Sequence, residues 1–131
     1  MTREELISTA IAMRRRSYCP YSRFAVGAAL ECSDGSVYTG CNIENAAYSP
    51  TLCAERVAVG KAVSEGHTDF VRIAVAGGGE APCVPCGVCR QVLQEFAPEL
   101  EVICVNDKGA ERTLTLRELL PHSFDSSFLG E

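Results

Sequence analysis

Apolar residues recur along this chain with two spacings, one typical of helices and one typical of strands. Near the start they follow a three-to-four-residue spacing, and Thr2 with Glu5 matches a capping box, which predicts a helix over about residues 3–16. A second helix is predicted over about residues 51–65, with Gly66 placed to end it. A third begins near Cys86 and ends before Pro98, and its predicted inner side carries Val88, Val92, Leu93 and Phe96.

Shorter apolar segments alternate with these helices, and Asp34-Gly35 is a strong hairpin-turn signal between the first two. A short helical turn is predicted over 116–120. The predicted strands cover residues 25–31, 37–41, 70–76, 101–105 and 112–116. A hairpin followed by strands alternating with helices predicts an α/β fold, namely a three-layer α/β/α sandwich around a mixed sheet of about five strands. We expect residues 1–131 to form a single domain.

Composition and charge exclude several classes of protein. A 131-residue chain with 47% hydrophobic residues is not typical of disorder. It shows neither a signal-peptide pattern nor an apolar run near the roughly 20 residues of a membrane span, so we expect a soluble, cytoplasmic protein. A net charge of −5 argues against a nucleic-acid-binding surface, and the basic run of residues 14–16 is interpreted as a solvated last helical turn.

Eight cysteines are many for a chain with no export signal, and in a reducing compartment clustered thiols more often indicate metal binding than disulfides. Four of them occur singly in apolar or strand-like segments and are interpreted as small buried hydrophobic residues: Cys19, Cys32, Cys41 and Cys104. The other four are the candidates for a metal site: Cys53, Cys83, Cys86 and Cys89.

Two of the predicted helix starts carry these thiols. Cys86 and Cys89 are three residues apart, so on a first helical turn both sulfurs face the same side, and Pro85 suits the helix start. Together with Cys53 they supply three ligands and leave a fourth position for water, as in catalytic zinc sites. Glu55, two residues after Cys53, can move protons between water and a substrate nitrogen.

The spacing alone leaves an alternative open. Cys83-Val84-Pro85-Cys86 is also a Cys-x-x-Cys pair, so the four clustered thiols could close a structural zinc site without catalysis. Such a site would belong to a zinc-stabilised interaction domain rather than to an enzyme. Two features favour the three-thiol site, because a structural site has no need of Glu55 and Pro85 gives a clean helix start only if Cys86 is a first-turn ligand.

Five segments, in this order, cover nearly the whole chain and resemble the short, homotetrameric cytidine deaminases: residues 20–29, 42–48, 53–56, 85–91 and 119–121. Cys-x-Glu followed by Pro-Cys-x-x-Cys is also similar to the general signature of zinc deaminases. The resemblance implies one Zn²⁺ per chain held by Cys53, Cys86 and Cys89, with Glu55 as proton shuttle and Cys83 as a bystander. It implies hydrolysis of cytidine and 2′-deoxycytidine to uridine and 2′-deoxyuridine, with release of ammonia, in pyrimidine salvage.

The same resemblance implies the roles of the substrate-binding residues. Phe24 would pack on the pyrimidine, and Asn42 and Glu44 would hydrogen-bond the ribose. Three residues would reach the pocket of a neighbouring subunit: Ala46, Tyr48 and Phe124, with Phe128 close to the last of them. The expected partners are a small nucleoside and further copies of the chain in a homo-oligomer, with neither nucleic acid nor a membrane.

Electrostatics adds one more candidate. Three thiolates on Zn²⁺ leave a charge of −1, which works against ionising a water molecule, and Arg56 is well placed to donate to the sulfurs.

Two other deaminase activities remain as alternatives. A nucleic-acid deaminase would need a basic channel for the strand, which an acidic chain does not supply. A deaminase of a cytosine-containing antibiotic would share the metal motifs, although the 42–48 segment favours the plain nucleoside.

Overall fold

The structure is a computed structural model that describes residues 1–130 of the chain. Two short 3-10 turns, Arg14–Arg16 and Ser126–Leu129, extend the first helix and the C-terminal segment. The remaining elements, in chain order, are α1 (Arg3–Met13), β1 (Gly27–Cys32), β2 (Val37–Cys41), α2 (Ala54–Ser64), β3 (Phe70–Gly77), α3 (Gly87–Phe96), β4 (Glu101–Asn106), β5 (Glu111–Thr115) and α4 (Leu116–Leu119).

The five strands form one mixed sheet in the order β2-β1-β3-β4-β5. β3 and β4 run parallel, and the other neighbouring pairs run antiparallel. In the centre of the sheet Ala28 lies opposite Val75, which in turn lies opposite Cys104. The predicted sheet is confirmed in both strand number and mixed direction.

Both faces of the sheet are buried, because successive side chains of the central strands point to opposite sides. On one face α1 covers small residues and two larger aliphatic ones: Ala29, Ala74, Ala76, Ile103 and Val105. On the other face α2 and α3 cover a second cluster, which includes Ala28, Leu30, Ile73, Val75, Val102 and Cys104. The three-layer α/β/α prediction is therefore confirmed. None of the helices formed by residues 1–130 is long and apolar enough to cross a membrane.

The predicted capping box of α1 is present, since the Thr2 hydroxyl accepts from the Glu5 N–H and the Glu5 carboxylate accepts from the Thr2 N–H. Two elements begin two or more residues later than predicted. β1 begins at Gly27 rather than residue 25, because the Val26 N–H donates to the Asn42 side chain instead of a strand. α2 begins at Ala54 rather than residue 51, because Leu52 pairs with Ile43 as an isolated bridge.

Several predictions about individual side chains were wrong. Val88 is 58% exposed rather than on the inner side of α3, and Cys89 and Leu93 form part of the buried side instead. Arg14 is not a solvated residue: its Nε donates to the Ala25 carbonyl and its Nη1 to the Asp107 carboxylate at 2.7 Å.

Of the four solitary cysteines, which we interpret as small buried hydrophobic residues, two are buried and two are only partly buried. Cys32 and Cys104 lie in central strands and are buried, as expected. Cys19 lies in the loop after α1 and Cys41 ends the edge strand β2, and both are only partly buried because no layer covers them completely.

Gly40 of β2 lies against the first turn of α2. A Cβ at Gly40 would lie 2.1 Å from the Ala54 carbonyl oxygen and 2.8 Å from the Ala58 nitrogen. Both of those atoms belong to the helix backbone, so the helix and the strand cannot approach this closely if the strand carries a larger residue. The absent side chain of Gly40 therefore allows the backbones of β2 and α2 to pack directly against each other.

We predict that Gly40→Ala lowers the free energy of unfolding by about 1–3 kcal/mol, the usual cost of overpacking. Gly60→Ala is the matched control, because Gly60 lies within α2 and a Cβ there meets nothing within 4 Å. It should stabilise the protein by about 0.5–1 kcal/mol through helix propensity. Urea unfolding of both variants measures this difference, and a Gly40→Ala protein as stable as the wild type would contradict the close approach.

Candidate active site

Two helix starts meet at one end of the sheet and bring three thiols together. Cys53 is the N-cap of α2 and Cys86 is the N-cap of α3, both with extended backbone, while Cys89 lies in the first turn of α3. The three sulfurs lie within 4.8 Å of one another, and those of Cys53 and Cys86 are 3.7 Å apart. The predicted three-thiol cluster is thus present.

The position of Pro85 differs from the prediction. Because Cys86 is the N-cap, Pro85 precedes the cap rather than standing at the first helical position. It is fully buried, and its carbonyl accepts from Arg90 Nε at 2.8 Å. Pro85 therefore fixes the approach of the chain to the cluster through packing and this hydrogen bond.

The donor set fits Zn²⁺. Thiolate sulfur binds zinc at about 2.3 Å in tetrahedral geometry, which places two sulfurs about 3.8 Å apart. The 3.7 Å between the sulfurs of Cys53 and Cys86 matches that separation. The Cys53 thiol also lies where helix N–H groups favour the thiolate.

The electrostatics of the cluster favours a negatively charged sulfur on Cys53. A hydrogen bond from the Cys89 thiol lowers the pKa of Cys53 to about 5 and raises the pKa of Cys89. Arg56 lowers the pKa of Cys53 further, because its Nη2 lies 3.5 Å from the Cys53 sulfur. The Arg56 Nη2 also donates to the Thr51 carbonyl at 3.2 Å, which holds the guanidinium beside the cluster.

Glu55 is the buried carboxyl of the site. It lies in the first turn of α2 and is only 4% exposed. Burial raises the pKa of Glu55 to about 7, and the negative charge of Cys53 acts in the same direction. A carboxyl group with a pKa near neutrality can both accept and release a proton at the operating pH, as acid–base chemistry requires.

Glu55 and two of the thiols line a cavity of about 300 Å³. Among the predicted site residues, it brings together Phe24, Asn42, Glu44, Cys53, Glu55 and Cys86. Its other lining residues are Ser22, Val26, Thr51, Ala54, Cys83 and Val84. A cavity of this size, mostly apolar with a few polar groups on one side, suits a small heterocyclic ligand.

Hydrogen bonds to the loop that follows α1 hold the Asn42 side chain. The Asn42 side-chain oxygen accepts from the Val26 N–H at 2.9 Å and from the Ser17 hydroxyl, and its Nδ2 donates to the Phe24 carbonyl at 2.8 Å. The second Nδ2 hydrogen of Asn42 has no partner within residues 1–130, so it is available to a ligand.

Three of the predicted substrate-binding residues lie outside this cavity. Tyr48 is 73% exposed and lines an adjoining cavity of about 360 Å³ with Tyr21, Ser22, Glu44 and Thr51. Ala46 is exposed in the same loop. Phe124 is 54% exposed and stacks on Phe128 with the ring centres 5.2 Å apart.

One lining residue, Ser22, carries no signal in the sequence that identifies its part in the site. Ser22 stands in a loop, where a single serine has many uses, yet it bonds directly to Glu44. Cys83 lines the cavity but is not part of the three-thiol cluster, and burial raises its pKa to about 12. Its position outside the group of three sulfurs separates Cys83 from the metal-ligand candidates.

Comparison with known proteins agrees with this geometry. A family model described as the cytidine and deoxycytidylate deaminase zinc-binding region matches residues 1–105. A cytidine deaminase from Halalkalibacterium halodurans is 48% identical over 132 residues, covering 100% of both chains. One from Sporosarcina psychrophila is 48% identical, covering 97% of this chain and 94% of the relative. The crystal structure of cytidine deaminase from Burkholderia pseudomallei has a TM-score of 0.92 at 46% identity, covering 95% of this chain and 100% of that one.

The fold and the thiol cluster define a zinc-dependent hydrolytic deaminase. More particularly, the chain belongs to the cytidine and deoxycytidylate deaminase family, as the family model and both full-length relatives show. The resemblance inferred from the sequence motifs is therefore confirmed.

We predict that Cys53→Ala, Cys86→Ala and Cys89→Ala each lose zinc, because each removes one of three ligands. Cys83→Ala, the matched control on the same cavity wall, should retain one zinc per chain, because its thiol is outside the cluster. Metal analysis of the four purified variants by mass spectrometry measures the zinc content. Loss of zinc from Cys83→Ala would indicate a closed four-thiolate site and would contradict the three-thiol assignment.

Proposed function

We propose that this chain hydrolyses cytidine and 2′-deoxycytidine to uridine and 2′-deoxyuridine, releasing ammonia. The observation that carries the proposal is the position of Glu55, whose buried carboxyl lines the same cavity as the sulfurs of Cys53 and Cys86 and the Phe24 ring. A structural zinc site does not require a buried acid beside it. The names of the full-length relatives support the same substrate.

Cys53, Cys86 and Cys89 would hold one Zn²⁺, which when bound supplies the activation of a water molecule as nucleophile. Glu55 then serves the proton transfers. As water attacks C4, Glu55 accepts one proton of that water and passes it to N3 of the cytosine ring. It then accepts the remaining proton, from the new hydroxyl group on C4, and passes it to the amino group, so that the C4–N bond breaks, ammonia leaves and a carbonyl forms at C4. Because burial keeps bulk water away from Glu55, its contacts with the reacting ring are stronger than in solvent.

The cavity residues other than Glu55 and the thiols would hold the nucleoside. The Phe24 ring forms an apolar wall against which a pyrimidine can pack. The available N–H of Asn42 and the carboxylate of Glu44 can donate to and accept from the sugar hydroxyl groups. Arg56 completes the set by offsetting the negative charge of the thiolates.

Charge favours a nucleoside over a nucleotide. The family includes deoxycytidylate deaminases, whose substrate carries a 5′-phosphate. Within the described residues, the cavity of Glu55 and the adjoining cavity of Tyr48 are lined by two acidic residues and by no lysine or arginine. A phosphate placed beside Glu44 would meet a like charge without a cation, so the cavity suits an uncharged sugar.

We expect Glu55→Gln to retain zinc and nucleoside binding but to lose at least about 10²-fold in kcat, the low end for removal of a general acid–base group. Glu65→Gln is the matched control, since Glu65 caps the opposite end of the same helix and is exposed. Steady-state kinetics with cytidine, run on variants of verified zinc content, measures the difference. Near-normal turnover by zinc-loaded Glu55→Gln would exclude Glu55 as the proton shuttle.

We further propose that the enzyme is a homo-oligomer, in particular a tetramer, whose pockets are completed across subunit contacts. The cavity of a single chain is open, and aromatic side chains that do not serve its core stand exposed on the surface: Tyr48, Phe124 and Phe128. Exposed aromatic groups of this kind are typical of contact surfaces. Closed point-group symmetry is the usual result when identical chains associate.

The oligomer proposal predicts that Tyr48→Ala and Phe124→Ala raise the KM for cytidine, because each removes a group that would close a neighbour's pocket. Val71→Ala is the control, since Val71 is 45% exposed on β3 and lines neither cavity. Light scattering across a dilution series, run beside activity, should show a tetramer whose activity falls as it dissociates. A fully active monomer would contradict shared pockets.

We also infer that residues 1–131 form one catalytic domain that acts in pyrimidine salvage in the cytoplasm. A single sheet with one core on each face supports the one-domain organisation. All eight cysteines, which lie within the described residues, are free thiols, and this supports a reducing compartment.

A further inference from the structure

Three hydrogen bonds from a short loop hold the carboxylate of Glu44. The backbone N–H groups of Tyr21 and Ser22 donate to Glu44 Oε1 at 3.0 and 3.1 Å. The hydroxyl of Ser22 donates to the other carboxylate oxygen, Oε2. Because both oxygens are bonded, the carboxylate plane of Glu44 cannot turn freely about its last bond.

The loop that supplies these donors has an uncommon backbone conformation. Arg23, directly after Ser22, has φ of 58°, in the left-handed region that non-glycine residues seldom adopt. The Ser22 hydroxyl oxygen accepts from the Phe24 N–H at 3.0 Å, across this turn. One hydroxyl thus connects the turn to Glu44, and a hydroxyl group can donate and accept in this way at the same time.

Glu44 needs such support because the described part of the chain offers it no cationic partner. The side chain is only partly buried, and it forms no ion pair within residues 1–130. The Ser22 hydroxyl also lowers the pKa of Glu44, ahead of the two backbone donors. A carboxylate offers about four acceptor positions, so three bonds still leave one for a ligand.

We propose that Ser22 is a positioning residue that acts through Glu44: it orients the carboxylate toward the sugar hydroxyl groups and so sets the preference for substrates that carry them. The inference rests on the proposed role of Glu44 in binding the ribose. Ser22 touches neither the metal cluster nor the reacting ring atoms in this account. Its effect therefore falls on substrate recognition rather than on the chemical step.

The test compares cytidine with 2′,3′-dideoxycytidine, which lacks the hydroxyl groups that Glu44 would accept from. Ser22→Ala should raise the KM for cytidine about five- to tenfold, as expected for the loss of one hydrogen bond, with kcat changed less than about twofold. For the dideoxy substrate, kcat/KM should change less than about twofold. The preference for cytidine should therefore fall by about five- to tenfold.

Ser64→Ala is the matched control, because its hydroxyl donates to the Lys61 carbonyl of its own helix, at 2.9 Å, and lines neither cavity. Its preference should equal that of the wild type. In a Glu44→Ala background, adding Ser22→Ala should change the kcat/KM for cytidine less than about twofold, because Ser22 acts through Glu44. Zinc content and melting temperature are measured for every variant.

An equal loss on both substrates would overturn the inference, because it would mean that Ser22 serves the loop or Phe24 rather than Glu44. An unchanged preference in Ser22→Ala would overturn it as well. Failure of the proposed function gives a different result, since the wild type and Ser64→Ala would then release no ammonia from cytidine. A wild type that does not prefer cytidine to the dideoxy substrate would remove the sugar role of Glu44, and the inference with it.

Discussion

The close approach of α2 to β2 is the constraint on which the site depends. Gly40 leaves room for the Ala54 carbonyl, so the helix begins beside the strand with Cys53 as its cap. The same start buries Glu55 in the first turn and brings Cys53 within 3.7 Å of Cys86 at the start of α3. Two helix N-termini then face one point, where the dipoles of both helices favour negative charge.

This arrangement brings together several groups that can carry negative charge at a buried site. Neighbouring groups limit the free-energy cost of that charge. A buried carboxyl beside thiolates tends to keep its proton, which is why the pKa of Glu55 rises to about 7. Arg56, from the helix that Cys53 caps, donates to the Cys53 sulfur. The resulting balance is useful for deamination, because one carboxyl group must both receive and release protons during the reaction.

Local patterns predict the helices, the strands and the pairing of Cys86 with Cys89, because these are encoded over short distances. The addition of Cys53, 33 residues before Cys86, and the exclusion of Cys83 rest on the resemblance to the family. The capping box at Thr2 and the spacing of Cys86 and Cys89 involve residues three apart. Such local patterns do not predict contacts between distant segments of the chain. The local sequence favours a solvated Arg14, because it does not reveal that Asp107, 93 residues further along the chain, is its partner. The hydrogen bond from Ser22 to Glu44 spans 22 residues, and a local pattern does not predict it either.

The central claim is that this site performs hydrolytic deamination of a free cytosine nucleoside. Ammonia release from cytidine by the purified, zinc-loaded wild-type protein tests it most directly, with uridine measured by chromatography in the same samples. We expect equal amounts of ammonia and uridine, formed at a rate proportional to enzyme concentration and abolished when a chelator removes the zinc. A protein with one zinc per chain that forms neither product from cytidine or deoxycytidine would contradict it.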